Sequence, residues 1–251
     1  MTKLDELIQE LCPDGVEFVS MNELLKRKQI STITPTIKVK RNDYLDIGET
    51  PIISQEIEYI SGYCNFHDKN IPCGNYVCFG DHSEHIKYIN FSFVQGADGL
   101  KIMRTNESTI SSRYLFHALS SKYQRHNNYE RHFKYLTDTI IPVPPLPVQR
   151  EIVRILDNFT ELTAELTAEL TARKKQYAYY RDKLLTHSSE TKICKLADVC
   201  ESIADGDHMP PPKADDGIPF ITISNITEQN KIDFSNTMFV PSSYYDALAD
   251  K

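Results

Sequence analysis

Residues 148–185 read VQREIVRILDNFTELTAELTAELTARKKQYAYYRDKLL, with neither glycine nor proline. Apolar side chains recur at Ile152, Ile155, Phe159, Leu162, Leu166, Leu170, Tyr177, Tyr180 and Leu184, in steps mostly of three or four. That spacing keeps one face of an α-helix apolar, because the helix turns every ~3.6 residues. It predicts a single amphipathic helix about 57 Å long at ~1.5 Å per residue. A helix of this length cannot bury its stripe against one small domain, so the stripe is expected to meet a partner helix in coiled-coil fashion. The steps of four at Leu162, Leu166 and Leu170 come from a tandem TAEL, Thr163–Leu166 and Thr167–Leu170, which departs from a heptad and alters the local supercoil. Basic residues (Arg150, Arg154, Arg173, Lys174, Lys175, Arg181, Lys183) nearly balance acids (Glu151, Asp157, Glu161, Glu165, Glu169, Asp182). Such a balance fits a solvated, partner-facing helix rather than a clamp on DNA.

Immediately upstream, IIPVPPLP (140–147) reads as a stiff extended linker, since its prolines cannot continue a helix. Further back, residues 30–110 carry short runs rich in Ile, Val, Tyr, Phe and Thr (TPIISQ, YVCFG, HIKYINFSFV) separated by Gly, Asn, Asp and Pro, the pattern of strands. Residues 111–136 return to helical spacing through Tyr114, Leu115, Ala118 and Leu119. At the start, KLDELIQEL (3–11) predicts a short helix ended by the turn Pro13-Asp14-Gly15, and a second helix follows around Met21–Lys28. The expected fold class is α+β: a β-rich domain over 1–147, a coiled-coil-type helix over 148–187, and a further segment over 188–251.

That last segment begins like the first. Glu17–Leu25 aligns without gaps to Lys192–Cys200 at an offset of 175, and TPIISQEI (50–57) resembles IPFITISNI (218–226) with one insertion. Two matches in the same order indicate an internal repeat. The second copy reaches Lys251 about a third of the way through, so it is expected to be incomplete, as in a half-length or shortened chain.

Net charge is −7 over 251 residues, which argues against indiscriminate coating of nucleic acid. The charge is uneven, however: ten acids against three lysines lie between Leu196 and Lys251, whereas Lys122, Arg125, Arg131 and Lys134 oppose Glu130 alone. No stretch is long and apolar enough to span a bilayer, and the acidic N-terminus does not resemble a signal peptide, so the expected compartment is the cytoplasm. The six cysteines then stand as reduced thiols.

Three cationic clusters suit phosphate contact: Lys38, Lys40 and Arg41; Lys87, Lys101 and Arg104; and Lys122, Arg125, Arg131, His132 and Lys134. The third is interleaved with Tyr123, Asn127, Asn128, Tyr129 and Phe133, a mixture suited to groove contact, although a solvated helix face would look the same. Ser54 and Gln55 are candidate base-edge readers, with a plain surface loop as the alternative. Gly80-Asp81-His82-Ser83-Glu84-His85 places two histidines three apart, and Cys64, His67, Cys73 and Cys78 form a loose cluster. Neither has the spacing of a standard metal site, so no metal and no cofactor is expected. There is no GxxxxGK[ST] loop, no glycine motif for S-adenosylmethionine and no Asn/Asp-Pro-Pro-Tyr/Phe motif, so no catalysis is expected either.

IPVPPLPVQREIVRILDNF (141–159), the TAEL pair and RKKQYAYYRDKLL (173–185) together resemble the specificity subunits of type I restriction-modification systems, at the junction of a target-recognition domain and a helical spacer. TPIISQ, SGY (61–63), VCFGDHSEHIKYINFSF (77–93), GADGLKI (96–102) and KYLTDTIIPVPPLP (134–147) resemble one variety of that domain, and DGDHMPPPKADDGIPFITISNI (205–226) resembles the opening of another. The resemblance implies a DNA-specificity subunit whose 80–85 stretch is a strand or loop on the DNA-facing side, with Asp81 or His82 ordering that loop. It implies pairing with methyltransferase subunits and restriction subunits on a split duplex target. A half-length chain would do so as a homodimer through the spacer helix, whose TAEL units would set half-site spacing. Two other readings fit the residues: a coiled-coil adaptor that never touches DNA, and an enzyme using the cysteine or histidine clusters with a metal.

Overall fold

A computed structural model describes residues 2–65, 70–96, 99–186, 191–201, 203 and 210–249. The chain enters through α1 (Lys3–Leu11), where the apolar spacing predicts a helix. Thr2 accepts the Asp5 N–H at 3.2 Å while the Asp5 carboxylate takes the Thr2 N–H at 2.7 Å, satisfying donors that a helix start leaves orphaned. After the turn come β1 (Phe18–Ser20) and α2 (Met21–Lys26), the latter capped by Ser20.

Seven strands follow: β2 (Ile30–Ile33), β3 (Thr50–Ile53), β4 (Gly62–Cys64), β5 (Tyr76–Gly80), β6 (Ile86–Ile89), β7 (Val94–Gln95) and β8 (Leu100–Thr105). They build a four-stranded antiparallel sheet in the order β2-β8-β5-β6 and a three-stranded sheet in the order β4-β3-β7, with β3 and β7 parallel. Every residue of β5 is buried. Alternation along a strand sends successive side chains to opposite faces, so Val77 and Phe79 join one core and Tyr76 and Cys78 another. The first core contains Leu24, Leu115, Leu119 and Ile141 from the flanking helices and termini; the second contains Ile53, Ile89, Phe93 and Ile102.

Three segments differ from expectation. Residues 140–147 are no linker: Ile140–Pro142 form β9, antiparallel to β1, and Ile141 is fully buried. Proline bars a helix but tolerates an edge strand, and burying Ile141 contributes about 1.5–3 kcal/mol to closing the domain. Residues 111–136 are not one helix but α3 (Ser112–Lys122) and α4 (Phe133–Asp138), separated by an irregular stretch in which Asn127 takes φ +55°. The long helix, α5 (Leu146–Leu185), starts two residues early because Pro147 falls in its first turn, where a missing N–H leaves no bond unmade.

Val148, Gln149 and Glu151 of α5 are buried, and Ile152 and Val153 pack on the first core, so Ile152 serves its own domain. Beyond them the stripe is bare: Phe159, Leu162, Leu166 and Leu170 are each at least half exposed, as are Tyr177, Tyr180 and Leu184. No described helix is long and apolar enough to cross a membrane.

Residues 182–251 form a separate unit. In it β10 (Ile218–Phe220) pairs antiparallel with β11 (Met238–Val240), ahead of α6 (Ser242–Ala249). The strand at 218 falls where the match to 50–57 predicts one. The other match does not carry over: Leu196–Asp198 make a 3₁₀ turn where the earlier copy has β1 and α2, and Ile193, Leu196 and Val199 are exposed. Residues 188–190, 202, 204–209 and 250–251 of the expected second domain, and residue 187 at the end of the expected spacer, lie outside the described residues.

Candidate nucleic-acid interface

Segments distant in sequence converge on a cleft of about 420 Å³: Thr32–Pro35 and Lys38 from the end of β2 onward, the Asp81–His82 turn after β5, Gln95, Gly99–Ile102, and Arg131 with Phe133 at the start of α4. Asp81 is the knot. Its N–H donates to the Gly99 carbonyl at 2.7 Å, its carbonyl accepts the His132 N–H at 2.8 Å, and its carboxylate accepts the Phe133 N–H at 2.9 Å. Lys101 reaches the same carboxylate at 3.6 Å and sits 5.5 Å from the centre of the Phe133 ring. Gly99 takes φ +101°, a backbone conformation that strains residues bearing a Cβ, and packs against the Gln55 amide at this floor.

His82 forms one wall. Its Nδ1 is 2.9 Å from the Glu130 carbonyl, and because a carbonyl only accepts, Nδ1 carries the proton. The ring stacks on Tyr129 with centroids 5.2 Å apart and planes 16° apart, while Tyr129 itself stands 92% exposed. Lys38, Lys101 and Arg131 oppose only Asp81 among the described lining residues, so the cleft is locally cationic on a chain of net charge −7.

The stretch between α3 and α4 is organised by Glu84, a buried residue at φ +57°. Its carboxylate accepts the Tyr123 O–H at 2.6 Å and the His126 and Asn127 N–H groups at 2.8 Å each. Burial alone would push this carboxyl up; the hydrogen bonds from Tyr123, His126 and Asn127 outweigh it and hold it below the ordinary range. Burial, and then the contact with Glu84, push the Tyr123 phenol well up. Asn127 is one of the few residue types that tolerate a left-handed backbone. Of the basic patch that sequence alone could assign to a helix face, Lys122 ends α3 and Lys134 lies in α4, while Arg125, Arg131 and His132 lie on the loop between them, pinned from beneath.

The cleft unites Lys38, His82, Lys101 and Arg131. Arg104 lines a neighbouring depression of about 260 Å³ that shares Ile33 and Pro35 with it. Lys122 lines a different one with Tyr123 and His126. Lys40, Arg104, Lys122 and Arg131 are exposed and form no ion pair among the described residues. Other candidates are engaged: Arg41 with Glu56, Lys134 with Glu130 at 3.0 Å, and Arg125 with His85 Nδ1 at 3.1 Å. Gln55 is half-buried, its Oε1 accepting the His82 N–H at 3.2 Å, and Asn127 offers its side chain to solvent.

Three candidates are corrected by burial. Lys87 points inward and donates to the Ser54 and Glu58 carbonyls, so burial holds its pKa down. Ser54 is buried with its hydroxyl 2.6 Å from that of Ser61. His132 is fully buried between the Asp81 carbonyl at 3.0 Å and Asn128 Oδ1 at 2.6 Å. All three hold the surface up from behind. Sequence reasoning passed over Glu84 and Gln95, and nothing in GDHSEHI marks that both of its acids, Asp81 and Glu84, turn inward.

For the cysteine cluster, His67 lies outside the described residues. Cys78 is buried and its thiol pushed up to about 12 by that burial, the reverse of what a metal thiolate needs. Among the described residues no three His, Cys, Asp or Glu side chains converge as metal ligands.

The fold and site together are a β-rich domain bearing a locally cationic cleft, followed by a long helix with a bare apolar stripe. Its family follows from comparison: the type I restriction modification DNA specificity domain matches residues 13–173, and the chain belongs to that family. It is 32% identical over 205 residues to the specificity subunit of a type I restriction enzyme of Escherichia coli, covering 74% of this chain and 48% of that one. It is 33% identical over 160 residues to a putative type I specificity subunit of Mycoplasma pneumoniae, covering 59% and 43%. The chain therefore spans about half the length of the curated relatives it matches. A chain from a solved type I restriction-modification assembly shares the fold, with a TM-score of 0.52 at 18% identity over 72% of this chain and 49% of that one.

Proposed function

We propose that the chain is the sequence-reading component of a type I restriction-modification assembly, without catalysis or cofactor of its own, working in the cytoplasm. Residues 1–147 are the recognition domain, 148–187 the spacer helix and 188–251 the start of a second recognition domain. The cationic cleft, with Lys38, His82, Lys101 and Arg131 at one opening, is the observation that carries the reading. It binds one half of a split duplex target, with Arg104, Lys40 and Lys122 contributing phosphate contacts around it.

The bare stripe from Phe159 to Leu184 packs against a second spacer helix, in a homodimer when the chain acts as a half-subunit, and holds methyltransferase and restriction subunits in place. The TAEL units set the distance between half-sites. The test is methylation mapping with the purified chain plus its methyltransferase partner, alongside duplex binding at several salt concentrations. The reading predicts a split motif and salt-sensitive preference for it; equal binding and modification of cognate and random duplexes overturns it.

A further inference from the structure

Besides the Lys3–Glu151 ion pair at 3.3 Å, the long helix is fastened to the domain by hydrogen-bonded side chains at Gln149 and Asp157. Gln149 is fully buried: its Oε1 accepts the Ser111 N–H at 2.9 Å, and its Nε2 donates to the Thr109 carbonyl at 3.0 Å and the Pro144 carbonyl at 2.8 Å. Further along, the Asp157 carboxylate accepts Arg113 Nε at 3.0 and 3.2 Å, a terminal Arg113 nitrogen at 2.8 Å and His117 Nε2 at 2.8 Å. Arg113 and His117 sit one turn apart on α3, and the guanidinium is wedged 4.7 Å from the Tyr88 ring centre and 5.3 Å from that of Phe116. A carboxylate held by a fork of donors is directional, whereas the apolar packing of Ile152 and Val153 fixes closeness without fixing an angle. Gln149 and Asp157 lie about 12 Å apart along the axis at ~1.5 Å per residue, and two fixed points define a direction where one defines only a place.

Resting on the function proposed above, we propose that Asp157, clamped by Arg113 and His117, is a positioning residue that sets the angle at which the spacer helix leaves the recognition domain, and thereby the gap between half-sites. The lever makes this consequential. From Asn158 to Arg181 the helix runs on for about 36 Å. A tilt of about 5° moves the far end by roughly 3 Å, close to the ~3.4 Å of one base pair. A few degrees of looseness erase the difference between adjacent gap lengths.

The test uses the full chain with Lys26→Cys and Lys174→Cys as spin-label sites, exposed Cys73, Cys194 and Cys200 replaced by serine, and the labelled chain diluted in unlabelled chain. Asp157→Asn should broaden the pulsed-EPR distance distribution by about 2 Å, the arc that a tilt of about 5° sweeps over the roughly 25 Å of helix from Asn158 to Lys174, and Asp157→Glu should restore most of it. In parallel, methylation with the partner subunit is scored on duplexes that keep the half-sites and vary the gap by single base pairs. Asp157→Asn should cut the preference for the best gap about tenfold with half-site bases unchanged. An unchanged distance width, or a broadened one with gap preference intact, overturns the inference, as does a lowered melting temperature with neither change. If the unmodified chain reads no half-site at all, the proposed function fails, while the distance measurement still judges the joint.

Discussion

Removing one TAEL unit, Thr163–Leu166, tests the ruler with little collateral change. The unit lies in the exposed part of α5, far from Gln149 and Asp157. After deletion Leu162 is followed four residues on by the leucine now at 170, so the apolar stripe stays in register. The threonines, whose hydroxyls donate to carbonyls four residues back at 2.7–2.9 Å, keep an equivalent partner. Four residues shorten the helix by about 6 Å and withdraw roughly 400° of turn, about 40° beyond a full revolution. Along a duplex, about 6 Å is a little under two base pairs, and about 40° is slightly more than the twist of one. The gap between half-sites should therefore contract by one or two base pairs while the bases on either side stay the same. Methylation mapping of a randomised-gap plasmid library with the methyltransferase partner measures both at once. Recognised bases that change while the gap does not would refute the ruler, as would an unaltered gap.

Three further outcomes follow from the same geometry. Glu84→Ala strips the acceptor from beneath the 123–132 loop and should cost on the order of 3 kcal/mol in urea unfolding, with duplex affinity falling beyond what the stability loss explains; a change under about 1 kcal/mol contradicts its role. Arg131→Ala should lower the slope of log affinity against log salt by about one, the signature of a lost phosphate contact, and an unchanged slope removes Arg131 from the interface. Glu151 is held down at about 2 by Arg154 and then Lys3, Glu130 is held at about 2 by Asn128, Lys134 and Tyr135, and Asp157 is also depressed, its bonds from Arg113 and His117 outweighing burial. Each acid has its folded pKa below its unfolded one, so its stabilisation is complete above about pH 5 and drains as pH falls toward 2. The melting temperature should drop across that window, and less steeply in Glu151→Gln; parallel curves for the two proteins speak against the assignment.

Much of the architecture was legible in the order of residues. The periods of α1 and α5 and the β-branched runs of 30–105 announce their elements, because helix and strand each bury a face at a fixed repeat. The family resemblance rests on the same local runs. Less was legible where chain closure competes with local preference. Residues 140–147 read as a linker until Ile141 is seen filling the core beneath β1, and 111–136 read as one helix until Glu84 is seen capturing backbone donors from its middle.

The site divides along the same line. Its charge is written in the chain, but whether a given cation faces solvent is not: Lys87 and Lys101 lie on β6 and β8, the two strands that flank β5 in one sheet, and only the first turns inward onto carbonyls. Sequence by itself determined a β-rich domain on a long helix with a bare stripe, since periodicity is a property of neighbours along the chain. Only the tertiary structure decided that Asp81 ties the 99–101 and 132–133 segments to its own turn beside a cleft, that His132 and Ser54 stand behind it, and that Asp157 clamps the stalk. Those relations join residues dozens of positions apart through hydrogen bonds, and no local pattern encodes them.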